Sequence, residues 1–240
     1  MIADDALTAL ATKLQTTELN VRREYFQHRF LSYFFQQPLT DQVFFKGGTA
    51  LRILYQSPRF SEDLDFSSAT GDVRGLEEAL LETLAEMAHE NLNPELEESK
   101  KTTGGYLGLI AFRAKDHEPV SIQLEISLRA GQKQGEVMTI VSDFSPAYLV
   151  VALTQAQLVD EKIQALLSRR KARDFYDLYF ILRANLLAPQ HRAVLPQALE
   201  TLRRSRLNFE RELKEFLPRS HRALLRDFPA ALAREIERFL

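Results

Sequence analysis

The stretch VFFKGGTALRILYQSPRFSEDLDFSS, residues 43 to 68, constrains the fold more than any other part of the chain. VFF at 43 to 45 is a short apolar run of strand type that leads straight into Gly47-Gly48. The apolar spacing that follows predicts a helix over about 49 to 56, and Ser57-Pro58 forces a turn. DLDF then alternates as a strand does. Glycines at a strand-to-helix junction let backbone N–H groups approach a phosphate, and the positive end of the helix favours the anion. Side chains on a strand alternate with period two, so Asp63 and Asp65 share one face, and paired carboxylates facing phosphates hold a divalent metal. Together these describe a metal–nucleotide site.

Composition narrows what else the chain can carry. It has 240 residues, 45% hydrophobic and 27% charged, enough for one substantial core or two modest ones. It has no cysteine, which removes disulfides, thiol nucleophiles and thiolate metal sites. His28, His89, His117, His191 and His221 have no HxxxH or HxH spacing, so a zinc site is not expected and oxygen ligands point to magnesium or calcium. The start, MIADDALTALATKL, is acidic and lacks the basic and apolar regions of a signal peptide. No window approaches the ~18 apolar residues of a spanning helix, so the expectation is a cytoplasmic protein with no membrane contact. A formal charge of -2 argues against nonspecific coating of nucleic acid, but not against a local basic groove.

Along the chain, helical periodicity over 4 to 36 reads as two helices, and GDVRGLEEALLETLAEMAHEN as a third amphipathic one closing at Asn91 to Pro94. Strands are expected at 95 to 101, 105 to 114 and 119 to 129, with a possible fourth near EVMTIVSDF. The short loop holding Lys115, Asp116 and His117 suggests that the second and third form a hairpin. From Pro146 glycine disappears and helical period takes over, placing a boundary near 143 to 147. Helices are expected at about 147 to 154, 155 to 168, 172 to 186, 190 to 205, 208 to 216 and 219 to 239, the last interrupted by Pro229. The expected organisation is residues 1–145 as a catalytic domain with N-terminal helices and 146–240 as a helical domain that contributes to the nucleotide cleft.

Two-metal phosphoryl chemistry asks for a third carboxylate on a neighbouring strand, and Glu125 in SIQLEIS has the right setting. There Ile122, Leu124 and Ile126 face the core while Gln123, Glu125 and Ser127 share the other face. A glycine pair, a helix, a hydrophobically flanked Asp-x-Asp and a later strand acid resemble the DNA polymerase beta-type nucleotidyltransferase fold. That fold is α+β, with a mixed or antiparallel sheet, here followed by a C-terminal helical bundle. KGGTALRILY, PRFSEDLDF, QLEIS and EKIQALLSRRKARDFYDLYFIL are similar, in that order, to the AbiEii/AbiGii-type toxin family of bacterial toxin–antitoxin and phage-defence systems. The matching motifs span about residues 44 to 182.

The resemblance implies a magnesium-dependent nucleotidyltransferase that takes a nucleotide from an NTP and, in some members, modifies the acceptor end of tRNA and so stops translation. It also implies a cognate antitoxin partner. Carried over residue by residue, Gly47, Gly48 and Thr49 would hold the triphosphate, and Asp63, Asp65 and Glu125 the metal. Glu125 stands where an aspartate often serves and is one methylene longer. A lysine and an aspartate are common on the family's helices after the sheet, and here Lys162 with Asp177 or Asp174 fill those places. Lys162 would balance triphosphate charge, and its alternative is a surface pair with Asp160 or Glu161. Asp177 is favoured over Asp174, whose alternative is pairing with Arg170 or Arg173. Arg52 and Arg59 would either assist the triphosphate or pair with Glu62. The basic run 168–173 and Arg203, Arg204 and Arg206 would either touch acceptor phosphates or be solvated charge. The competing functions are a nucleotidyltransferase acting on a small molecule or a protein hydroxyl, and a catalytically weak partner-binding module.

Overall fold

The computed structural model describes residues 2–114, 117–129 and 131–240. The chain divides into two compact units, Met1–Gln56 with Phe60–Leu153, and Ser57–Arg59 with Thr154–Leu240.

The first unit begins with two helices, α1 (Asp4–Lys13) and α2 (Glu18–Phe34). The Thr17 side chain accepts from the Asn20 N–H and so caps α2. Next come β1 (Val43–Lys46), α3 (Gly47–Tyr55), β2 (Leu64–Ser68) and α4 (Val73–His89). Asp72 starts α4 by accepting from the Gly75 N–H. The rest of the unit is strand: β3 (Pro94–Thr102), β4 (Gly105–Ala114), β5 (His117–Ser127), β6 (Gly135–Ile140) and β7 (Tyr148–Leu153).

The seven strands form one mixed sheet in the order β3-β4-β5-β2-β1-β7-β6. β2 runs antiparallel to β1 and parallel to β5, so β2 and its Asp65 lie in the middle of the sheet. β4 and β5 are antiparallel neighbours, as a hairpin requires; Lys115 and Asp116 of the expected connection lie outside the described residues. The core is aromatic: Phe26 stacks on Phe112 with ring centroids 4.1 Å apart, and Phe34 and Phe45 both meet Phe66.

One expected helix is a strand. YLVVAL at 148–153 pairs in parallel with β1 and antiparallel with β6. A short apolar run has the same look in a helix as in a strand buried inside a sheet, and here the adjacent valines and the waiting edge of β1 decide for the strand.

The second unit holds α5 (Gln155–Arg169), α6 (Ala172–Arg183), α7 (Leu195–Arg204), α8 (Phe209–Leu213) and α9 (Phe228–Glu237), joined in places by 3-10 turns. Pro229 sits in the first turn of α9, where its missing N–H costs nothing, so it starts that helix instead of breaking a longer one. Leu166, Phe175, Tyr176, Leu202, Phe209 and Phe228 are central to a separate buried core.

Candidate active site

In the first unit the site is built from the middle of the sheet. Leu64 and Phe66 are fully buried on one face of β2, which sends Asp65 to the other. Asp65 is directly opposite Lys46 on β1 and directly opposite Glu125 on β5. Neighbouring strands are about 4.8 Å apart, so Lys46, Asp65 and Glu125 form one row across three strands, a cation followed by two neighbouring acids. Asp63 is placed just before β2 and is partly exposed like Asp65. Glu125 is exposed, and its Oε1 accepts from the Gln123 side chain at 2.8 Å.

Gly47 explains why this turn needs glycine. Its φ is +83°, and a Cβ there would lie 2.1 Å from Asp65 Oδ2 and 2.7 Å from Asp65 Cβ. The backbone at the start of α3 is therefore packed directly against the Asp65 carboxylate, at a distance only glycine tolerates. No side chain caps this helix start. Thr49, one turn in, is fully buried, and its hydroxyl donates to the Asp63 carbonyl. That bond ties α3 to the segment carrying both aspartates. The same segment is held from α2: the Gln27 amide donates to the Ser61 and Glu62 carbonyls at 3.0 and 3.1 Å, and Arg23 pairs with Glu62 at 3.2 Å. Arg52 forms a two-pronged pair with Glu24, both bonds 3.0 Å, and lies 3.9 Å over the Phe60 ring. Glu24 is thus a partner of Arg52 that the sequence did not point to.

Among the described residues no three His, Cys, Asp or Glu converge on a ready-made metal cage. Magnesium dehydrates reluctantly and is typically held by one or two carboxylates with the substrate's phosphates completing its shell. Asp63 and Asp65 are the carboxylates that could supply such a donor set beside the start of α3, which no side chain caps.

In the second unit the two sequence candidates meet. Lys162 on α5 donates to Asp177 Oδ2 on α6 at 2.7 Å, and Arg59 clasps the same carboxylate through Nε at 2.8 Å and Nη2 at 3.0 Å. All three are buried. Lys162 is therefore not a surface partner of Asp160 or Glu161. Burial alone would raise the Asp177 pKa, but Arg59 and then Lys162 outweigh it and hold the carboxyl at about 2. Burial works against the Arg59 charge as well, yet Asp177 raises its pKa. Asp174, one turn earlier, is engaged elsewhere: it accepts two bonds to its Oδ1 from Arg169, at 2.9 and 2.7 Å, and one from the Lys171 N–H at 3.0 Å. It caps α6, with Arg169 in place of the expected Arg170 or Arg173.

A comparison of the sequence with protein families decides what kind of protein carries this site. The model of the AbiEii nucleotidyl transferase toxin, of type IV toxin–antitoxin systems, matches residues 29–240. The chain belongs to the AbiEii family. It is a nucleotidyltransferase, a toxin of a type IV toxin–antitoxin system, and the family implies an NTP substrate and an antitoxin partner. No curated protein matches its sequence. Among solved structures it is similar to JHP933 from Helicobacter pylori, at 20% identity and a TM-score of 0.65, covering 93% of each chain. It is also similar to the nucleotidyltransferase toxin MenT4 from Mycobacterium tuberculosis, at 18% identity and a TM-score of 0.64, covering 100% of this chain and 93% of that one. At these identities the likeness speaks for the fold. Among the described residues no helix is long and apolar enough to cross a membrane.

For an AbiEii-family chain, two residues stand out that sequence reasoning placed elsewhere or passed over. Lys46 joins the carboxylate row, and its signal was present in the KGG triplet, where attention stopped at the glycines. Arg59 is bound to Asp177, 118 residues away in sequence, a distance at which no local pattern can show a pairing.

Proposed function

We propose that this toxin transfers a nucleotide from an NTP to the 3′ end of tRNA in a magnesium-dependent reaction, acting in the cytoplasm and blocking translation. The observation that carries the proposal is the packing of Gly47 against Asp65 within the Lys46–Asp65–Glu125 row. It sets backbone of the kind that suits a phosphate beside a carboxylate of the kind that suits a metal, which supports the reading.

In this reading Gly47 and Gly48 present backbone N–H groups to the triphosphate, helped by the positive end of α3 and the charge of Lys46. Asp63 and Asp65 hold magnesium, with Glu125 as the third acid. Bound there, magnesium would lower the pKa of the attacking hydroxyl and offset the charge of the departing pyrophosphate. Thr49 keeps Asp63 in place through its carbonyl. Lys162 and Asp177 are included as residues needed for transfer, with Arg59 positioning Asp177. The reading also assigns the sheet to the polymerase beta-type class and treats the second unit as a helical bundle.

Charge distribution supports a nucleic-acid acceptor. Residues 154–240 hold 17 Lys and Arg against 11 Asp and Glu, whereas residues 1–153 hold 14 against 22. A surplus of six positive charges within one half, including exposed Arg170, Lys171 and Arg206, suits contact with a phosphate backbone, and the chain-wide charge of -2 conceals it. The test is incubation with each labelled triphosphate, magnesium and separate pools of total tRNA, protein and small molecules. Label in tRNA is expected. Label in the protein or small-molecule pool alone would replace the acceptor while keeping the reaction class.

A further inference from the structure

The two acids that face each other across β2 and β5 are not held equally. Asp65 is packed against the backbone of Gly47. Glu125 is exposed and has one more side-chain torsion to fix. Its cross-strand neighbours do not fix it: Asp65, directly opposite on β2, repels it, and Leu107, directly opposite on β4, has no donor to offer. Among the described residues no cation pairs with Glu125, and the bond its carboxylate accepts comes from the Gln123 amide, Nε2 to Oε1 at 2.8 Å. Strand side chains return to the same face every second residue, so Gln123 is beside Glu125 on β5. Across from it on β4 is Leu109. Gln123, Leu107 and Leu109 are all half-buried, and the two leucines give the amide no competing acceptor side chain on that side.

We propose that Gln123 is a positioning residue for the metal site: its amide holds the Glu125 carboxylate in the row beside Asp65 and so raises the affinity of that pair for magnesium. This rests on the reading of Glu125 as the third acid. An amide suits the task better than a cation. A lysine at this position would pair with Glu125 and offset the charge that a metal needs, whereas the amide engages one carboxylate oxygen and leaves the charge in place. Partners that orient a metal ligand in this way set how well the ligand binds, although they never touch the ion.

The test is binding of Mn2+, a paramagnetic stand-in for magnesium, followed by electron paramagnetic resonance on the full chain with each of the four α,β-methylene triphosphates, so that no transfer takes place. Gln123→Met keeps the length of the side chain and loses the donor, and it should weaken Mn2+ binding about tenfold. Glu125→Gln should weaken it at least as much. The double variant should bind no more weakly than Glu125→Gln alone, because Gln123 acts only through that carboxylate. Urea midpoints of Gln123→Met and the wild type should agree, since the bond is exposed. Unchanged binding in Gln123→Met beside weakened binding in Glu125→Gln would overturn the inference and keep the third acid. No Mn2+ bound by the wild type, or wild-type binding by Glu125→Gln, would overturn the reading of Glu125 and the inference with it. A double variant weakened by the product of the two single effects, or a lowered Gln123→Met midpoint, would mean that Gln123 acts by another route and would overturn the inference too.

Discussion

Replacing Asp177 by Asn keeps the shape of the side chain and removes its charge. The Arg59 guanidinium and the Lys162 ammonium then remain buried around a neutral amide. Breaking a buried ion pair by removing one partner costs about 3–5 kcal/mol, because the other charge is left uncompensated. With a urea slope of about 2–3 kcal/mol per molar for a chain of this size, the unfolding midpoint should fall by roughly 1–2 M. The chain has no tryptophan, so far-ultraviolet circular dichroism is the suitable probe of the helical unit. The pH dependence gives an independent check. Asp177 titrates at about 2 in the folded protein against 3.8 unfolded. A carboxylate with a lowered folded pKa stabilises fully above its unfolded value and loses that contribution as pH falls through the folded one. The wild type should therefore lose on the order of 2 kcal/mol between about pH 4 and pH 2 that Asp177→Asn does not. An unchanged urea midpoint, together with parallel acid profiles, would refute the view that this carboxylate neutralises two buried cations.

Gly47→Ala should lower transfer about 100-fold, the order expected when reacting groups are displaced by about an ångström; wild-type kcat would show that the contact with Asp65 does not matter. Thr49→Val should cost roughly 1 kcal/mol by removing the bond from its buried hydroxyl to the Asp63 carbonyl, and Thr49→Ser should recover most of it in the same melt. His28 is buried, with its Nδ1 2.7 Å from the Tyr148 hydroxyl, and desolvation followed by the nearby Arg52 charge lowers its pKa to about 4. The unfolded chain takes up that proton first, so stability should decline as pH falls from about 6.5 to about 4, and His28→Gln should flatten that part of the wild-type profile.

What could be read from the sequence follows the reach of local rules. Asp63-Leu64-Asp65 and SIQLEIS reveal their faces because a strand alternates with period two whatever surrounds it. That Asp65 and Glu125 are directly opposite depends on β5 inserting beside β2, a matter of topology. The expected helix at 147–154 fails because a run such as YLVVAL carries no periodicity of its own, and the open side of β1 determines its state. On the helices, Lys162 and Asp177 are pointed to by the family resemblance, but Arg59 is invisible to local pattern because it meets them through tertiary packing. Asp174 pairs with Arg169, five residues earlier across the turn between α5 and α6, a geometry the i,i+4 rule does not cover.

The central claim is that Asp63 and Asp65 hold the metal for nucleotide transfer. It is tested most directly by transfer of label from each α-labelled triphosphate to total tRNA with magnesium, comparing the wild type with Asp65→Asn and Asp63→Asn at matched circular dichroism. The account predicts labelled tRNA from the wild type, loss of label on chelation with EDTA, and none above background from either folded variant. Full labelling by either variant would contradict it.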